Sequence, residues 1–254
     1  MEALRGQPVV DFGTPEEAWQ QSTYLSSLAA VSLAGLLANC KRVVVVSPHP
    51  DDEVLGCGGL LSLCAAQQTP ILIVSVSDGE NCYPGNDAWP PSRLKIARKR
   101  ELNQALAALG IDNPNIASLE LPDGQVNAYE CHLIGALETQ LLETDLVFVP
   151  WSRDGHPDHE ATARATASAA RSIGCRLIEF PIWAWHWASA DGGAFSESAV
   201  SRLDLGADAH RAKLEAIGCF TSQLETGDPT IPTPVLPGHV LKRFARTYEV
   251  FIHE

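Results

Sequence analysis

The chain has 254 residues, 45% of them hydrophobic, enough to bury a full core, and it reads as one α/β domain over 1–254. Eighteen Lys and Arg against 31 Asp and Glu leave a formal charge of -13, so there is little positive charge to displace phosphate counterions, which argues against nucleic acid as a partner and disfavours anionic membrane surfaces. The seven cysteines form no C-x-x-C pair and are odd in number, which argues against a disulfide framework or a thiolate zinc knuckle and points to a reducing cytoplasm.

No basic region followed by an apolar core and a cleavage site opens the chain, so no signal peptide is expected. Residues 15–39 are expected to form a helix, with Thr14 as N-cap, Pro15 at the first position and Glu16 and Glu17 in the first turn. Its apolar stretch at 24–40 is broken by serines and short for a membrane span, so a buried helix is expected there. The run VVVVS at 43–47 is continuously apolar, the mark of a strand covered on both faces. Gly56, Gly58 and Gly59 follow, and 60–68 reads as helix. The glycines fit no complete phosphate-loop or dinucleotide fingerprint and are assigned to close helix–sheet packing.

A second strand is expected at 71–79, a proline-rich loop after it, and an amphipathic helix at 92–111 ended by Gly110. Then come a short strand at 118–122, a helix at 127–143, a strand at 146–150, a helix at 158–173 and an extended segment at 176–187. The C-terminal part, 191–254, is less regular, with a helix at 208–218, a proline-rich loop at 228–238 and a terminal helix running into 248–252. Strands alternating with helices define a Rossmann-like, doubly wound, mainly parallel sheet with helices on both faces. Such sheets bind ligands beyond the carboxyl ends of their strands.

Two acidic and histidine-rich clusters fall at such ends. HPDDE, His49 to Glu53, follows the first strand, and DGHPDHE, Asp154 to Glu160, follows 146–150. Either alone could be a turn or a helix cap. Together they offer a divalent metal more than the three ligands a catalytic zinc needs: His49, Asp52 and one histidine of the pair His156 and His159. A dication would also relieve the repulsion among the adjacent carboxylates, leaving Asp51 as a base on the metal-bound water and Glu53 in support. Zinc is expected, and iron suits the same donors. Trp183, Trp185 and Trp187 alternate, so on an extended segment they share one face, either in the core or as an aromatic platform for a sugar ring or acyl chain.

SPHPDDE and DGHPDHE together resemble the signatures of the PIG-L/LmbE-like N-deacetylases, and similar pieces lie at 98–111, 121–124, 181–187, 213–223 and 248–251. The resemblance implies zinc-dependent removal of the N-acetyl group from an N-acetylglucosamine-type sugar in a glycoconjugate or glycolipid. It implies His49, Asp52 and His159 as ligands and Asp51 as general base. His156 would stabilise the tetrahedral intermediate or protonate the amine, with Asp158 orienting it. Arg98 and Asp123 would meet substrate. The segment at 213–223 lacks the histidine that many relatives carry before Ser222-Gln223. The alternatives are a metal-dependent amidase or esterase on a non-sugar substrate, and a non-catalytic metal- or glycan-binding protein. The partners expected are a small-molecule or lipid-linked amino sugar and, for assembly, a second copy of the chain, with no stable membrane insertion.

Overall fold

The computed structural model describes residues 13–225 and 233–253. Eight strands, β1 (Ala29–Ala30), β2 (Arg42–Ser47), β3 (Ile71–Ser77), β4 (Ile116–Leu121), β5 (Asp145–Pro150), β6 (Arg176–Phe180), β7 (Ala199–Asp204) and β8 (Tyr248–His253), form one sheet in the order β1-β7-β8-β6-β5-β2-β3-β4. The helices are α1 (Glu16–Gln20), α2 (Thr23–Ser27), α3 (Leu33–Leu36), α4 (Asp52–Ala66), α5 (Pro91–Ala108) and α6 (Glu130–Gln140). They continue with α7 (Pro157–Ile173), α8 (Ala184–Trp187), α9 (Ala207–Ile217), α10 (Thr221–Leu224) and α11 (Gly238–Leu241).

The doubly wound expectation holds. β2 is fully buried past its first residue, and its valines alternate between two cores: Val43 and Val45 on one face, Val44 and Val46 on the other. β2 pairs in parallel with both β3 and β5. The chain leaves β2 toward β3 and β4, then returns to the other side through β5 and β6. The reversal between β2 and β5 is the switch point where such sheets leave a crevice.

Five expectations are corrected. The helix expected at 15–39 is three short helices around the two-residue β1. Ser22 and Ser32 compete with the ladder by capping new starts, accepting from Tyr24 and Leu25 and from Gly35, while Ala29 and Ala30 pair with β7. Thr14 does not cap, and its hydroxyl donates to the Ala188 carbonyl at 2.7 Å. The helix expected from 60 begins at Asp52, so the acidic cluster is its first turn, where the helix dipole favours anions. The extended segment stops at Phe180, and α8 replaces its end. The C-terminal part supplies β7 and β8, and β8 inserts antiparallel between β6 and β7. The proline-rich loop at 228–238 lies partly outside the described residues.

The glycines of α4 do serve packing. A Cβ on Gly56 would lie 2.1 Å from the Phe180 ring, and one on Gly59 would lie 2.4 Å from Leu205. Gly56→Ala is therefore expected to destabilise the fold by roughly 1–3 kcal/mol through overpacking, despite alanine's better helix propensity. Denaturant melting of the variant measures this, and an unchanged midpoint would contradict it.

Candidate metal and catalytic site

Because β2 and β5 are neighbours in parallel, the loops leaving their carboxyl ends lie side by side. Each runs directly into a helix: α4 after Asp51 and α7 after His156. Proline at the first position of α7 suits a start where an N–H would be unpaired anyway. The result is that His49, Asp52 and His159 meet. Asp52 Oδ2 lies 3.2 Å from His49 Nδ1 and 3.2 Å from His159 Nε2. Ligand-type atoms of the three residues all fall within 4.8 Å of one another. A second such group, His49, His156 and Asp158, shares His49.

Electrostatics at this point favour positive charge. Burial pushes the Asp52 carboxyl up, but His159 and His49 outweigh it and hold the group well below the usual carboxylate range. Burial opposes charge on His159, yet Asp52 and Asp154 raise it to about 9. Burial likewise opposes charge on His49, and Asp123, Asp158 and Asp52 raise it well above its ordinary value. The carboxylates around His49 and His159 thus favour positive charge where a dication would sit. The donor chemistry fits a metal too: His159 Nε2 is buried and faces Asp52 Oδ2 at 3.2 Å without making a well-aligned hydrogen bond to it.

Asp51 stands beside this group. Its Oδ2 accepts from Arg98 at 2.9 Å, and its main-chain N–H donates to Glu53. Burial pushes the Asp51 carboxyl up, Arg98 lowers it and Asp52 raises it, for a net rise to about 6. Arg98 is itself buried, with further bonds to the carbonyls of Pro50 at 2.8 Å and Gly79 at 3.1 Å. Glu53 accepts from Ser47 at 2.6 Å, and burial, against that bond, pushes it up to about 8.

His156 Nδ1 accepts the main-chain N–H of Asp158 at 3.2 Å. Burial, then the charges of His159 and His49, lower its pKa to about 3, so it stays neutral. The Asp158 carboxylate does not orient this ring as expected. It accepts from Gly124 N at 2.7 Å and Val126 N at 3.1 Å and faces His49 Nε2 at 3.3 Å. Asp123 also faces that nitrogen, at 3.2 Å, and accepts from Asn81 N. The 121–126 turn is thereby brought against the first cluster.

The three tryptophans do not share a face, because the chain turns into α8. Trp183 stacks on His156 with ring centroids 6.3 Å apart and planes 21° off parallel. Trp185, read either as core or as a substrate platform, is buried in the core, edge-on to Trp19 at 5.0 Å and under the Arg246 guanidinium at 4.2 Å. Trp187 stacks on Trp151. Sequence reasoning missed Asp154, which accepts from His159 Nδ1 at 2.7 Å. Its signal was an acidic residue within the quoted second cluster, with no local hint of its partners.

Fold and site together define a doubly wound α/β protein with a His/Asp/His metal-type centre and a buried carboxylate at the strand ends. The chain belongs to the PIG-L family, whose model, described as GlcNAc-PI de-N-acetylase, matches residues 44–170. The 1D-myo-inositol 2-acetamido-2-deoxy-alpha-D-glucopyranoside deacetylase of Mycolicibacterium gilvum (strain PYR-GCK) is 26% identical over 188 residues, 65% of this chain and 64% of that protein. The match thus spans a little under two thirds of that relative's length. The fold is shared with N,N'-diacetylchitobiose deacetylase from Pyrococcus horikoshii, at TM-score 0.59 and 20% identity, covering 86% of this chain and 83% of that one. It is shared also with the A40926 pseudoaglycone deacetylase, at TM-score 0.64 and 21% identity, covering 84% and 96%. Among the described residues, no helix is long and apolar enough to cross a membrane.

Proposed function

We propose that the chain is a metal-dependent N-deacetylase that removes acetate from an N-acetylglucosamine-type sugar within a glycoconjugate or glycolipid. The observation that carries this is the convergence of His49, Asp52 and His159 beside the buried Asp51–Arg98 pair. Relatives named for deacetylating an inositol-linked amino sugar and a chitobiose support the sugar class.

His49, Asp52 and His159 would hold zinc, with iron as the other metal suited to the donors. They are better placed than the His156 and Asp158 group, whose Nδ1 and carboxylate are already engaged by main-chain N–H groups. When bound, the metal would polarise the amide carbonyl and make water acidic enough to attack near neutral pH. Asp51 takes the proton of the attacking water, with Arg98 fixing the direction of its carboxylate. In this reading Arg98 positions the base rather than meeting sugar hydroxyls. Because His156 Nδ1 is an acceptor, its neutral ring carries hydrogen on Nε2 and can donate to the developing oxyanion. The amide C–N bond then breaks, and the proton held by Asp51 ends on the leaving amine. Asp123 and Trp183 would line the sugar side. A cytoplasmic setting agrees with seven unpaired cysteines among the described residues.

Stripping the purified protein with a chelator is expected to abolish acetate release, and zinc or iron should restore it. Release should favour N-acetylated amino-sugar conjugates over simple non-sugar amides and esters in the same panel. A metal-loaded protein that cleaves the simple amides and none of the sugars would transfer the assignment to a general amidase.

A further inference from the structure

Asp154 is fully buried, and its carboxylate meets four N–H groups. Its Oδ1 accepts the main-chain N–H of Ile182 at 2.9 Å and of Ala184 at 3.0 Å. Its Oδ2 accepts Trp183 N–H at 2.9 Å and faces His159 Nδ1 at 2.7 Å. Its main-chain carbonyl accepts the Trp187 indole N–H at 2.7 Å. The next residue, Gly155, has φ +90° and no room for a side chain, since a Cβ would lie 2.8 Å from that indole nitrogen. The loop is thus built to bring one carboxylate onto the far side of His159 and onto the turn bearing Trp183.

We propose that Asp154 is a positioning residue that holds His159 with its hydrogen on Nδ1, so that Nε2 presents a lone pair to the metal, and that clamps this imidazole to the Trp183 turn. The proposal rests on the reading of His159 as a ligand. A carboxylate behind a ligating histidine fixes the ring's tautomer and orientation. His159 Nδ1 is thereby engaged by Asp154 at 2.7 Å, while Nε2 points the other way, 3.2 Å from the Asp52 carboxylate of the proposed ligand set.

Asp154→Asn is the discriminating change because it keeps shape and removes one acceptor. An amide NH2 at the Oδ1 position would face two N–H donors, Ile182 and Ala184. At the Oδ2 position it would face one, Trp183, together with His159, so the second orientation is favoured. His159 must then accept through Nδ1 and carry its hydrogen on Nε2, where the metal would bind. Zinc affinity of Asp154→Asn, read by chelator competition, is expected to fall 10–100-fold with the circular dichroism spectrum retained. In a His159→Ala background the same substitution should produce no further loss, whereas a merely structural role would add its effect again. Zinc-loaded wild-type protein labelled with 15N in its imidazoles supplies a measurement that needs no foldable variant. His159 should show hydrogen on Nδ1 and a zinc-shifted Nε2. Wild-type affinity in folded Asp154→Asn, or zinc on Nδ1 of His159, would overturn the proposal. None of these readouts needs a substrate, so weakened zinc binding supports it whether or not any sugar amide is cleaved.

Discussion

Asp51→Asn is expected to lower the turnover number for deacetylation by about 10²–10⁴-fold, the range for loss of a general base. The asparagine keeps an oxygen to accept from Arg98, so the local frame should survive, but it cannot take a proton from water. Two side effects oppose one another: Arg98 loses its counter-charge, and Asp52 loses a like-charged neighbour. Zinc content should stay near that of the unmodified chain, because the three proposed ligands are untouched. Steady-state acetate release together with metal analysis makes the check. Near-normal turnover in a zinc-loaded variant would remove Asp51 from the reaction. Loss of zinc along with activity would make it part of the metal site instead.

Glu249→Leu is expected to destabilise the fold by about 3–5 kcal/mol, as when one partner of a buried ion pair is removed. Glu249 lies on β8, and one of its oxygens accepts from Lys213 of α9 at 2.8 Å. Both side chains are almost fully buried. The carboxylate also accepts Gly59 N–H at 2.7 Å and Leu60 N–H at 2.8 Å from α4. Its removal strands a buried ammonium and takes an acceptor away from two amides of α4. Adding Lys213→Met should recover a large part of the loss, since an apolar pair of similar volume avoids the cost of burying charge. Thermal or urea melting of both variants decides this. If the double variant is no more stable than the single one, the stranded ammonium is not what destabilises it. The Glu249 carboxylate ties the late strand β8 to the helix that begins with the proposed ligand Asp52, so its loss should also loosen the site.

Much of the site was legible because its chemistry is local. A buried strand must be apolar throughout, so VVVVS and LVFVP announced themselves, and the residues following each had to lie at the same sheet edge. The packing role of the α4 glycines was legible by elimination, and the ring of Phe180 supplies the physical reason. The three tryptophans were misplaced on one face because period-two alternation was carried past Phe180, into a segment that turns helical. The N-terminal helix was overread because apolar content alone does not reveal that Ser22 and Ser32 will restart the chain.

By itself, the sequence determined the alternation of strands and helices, the two clusters at strand ends, and the residue types able to hold a dication. Those properties depend on the order of neighbouring side chains. Tertiary structure alone decided the partners. Asp158 serves Gly124, Val126 and His49 rather than the imidazole of His156, and Asp154 stands behind His159 while gripping the turn at 182–184. Arg98, on the amphipathic helix and expected to meet substrate, closes over Asp51. A carboxylate accepts from whichever donors packing brings within about 3 Å, and those donors come from segments far apart in the chain.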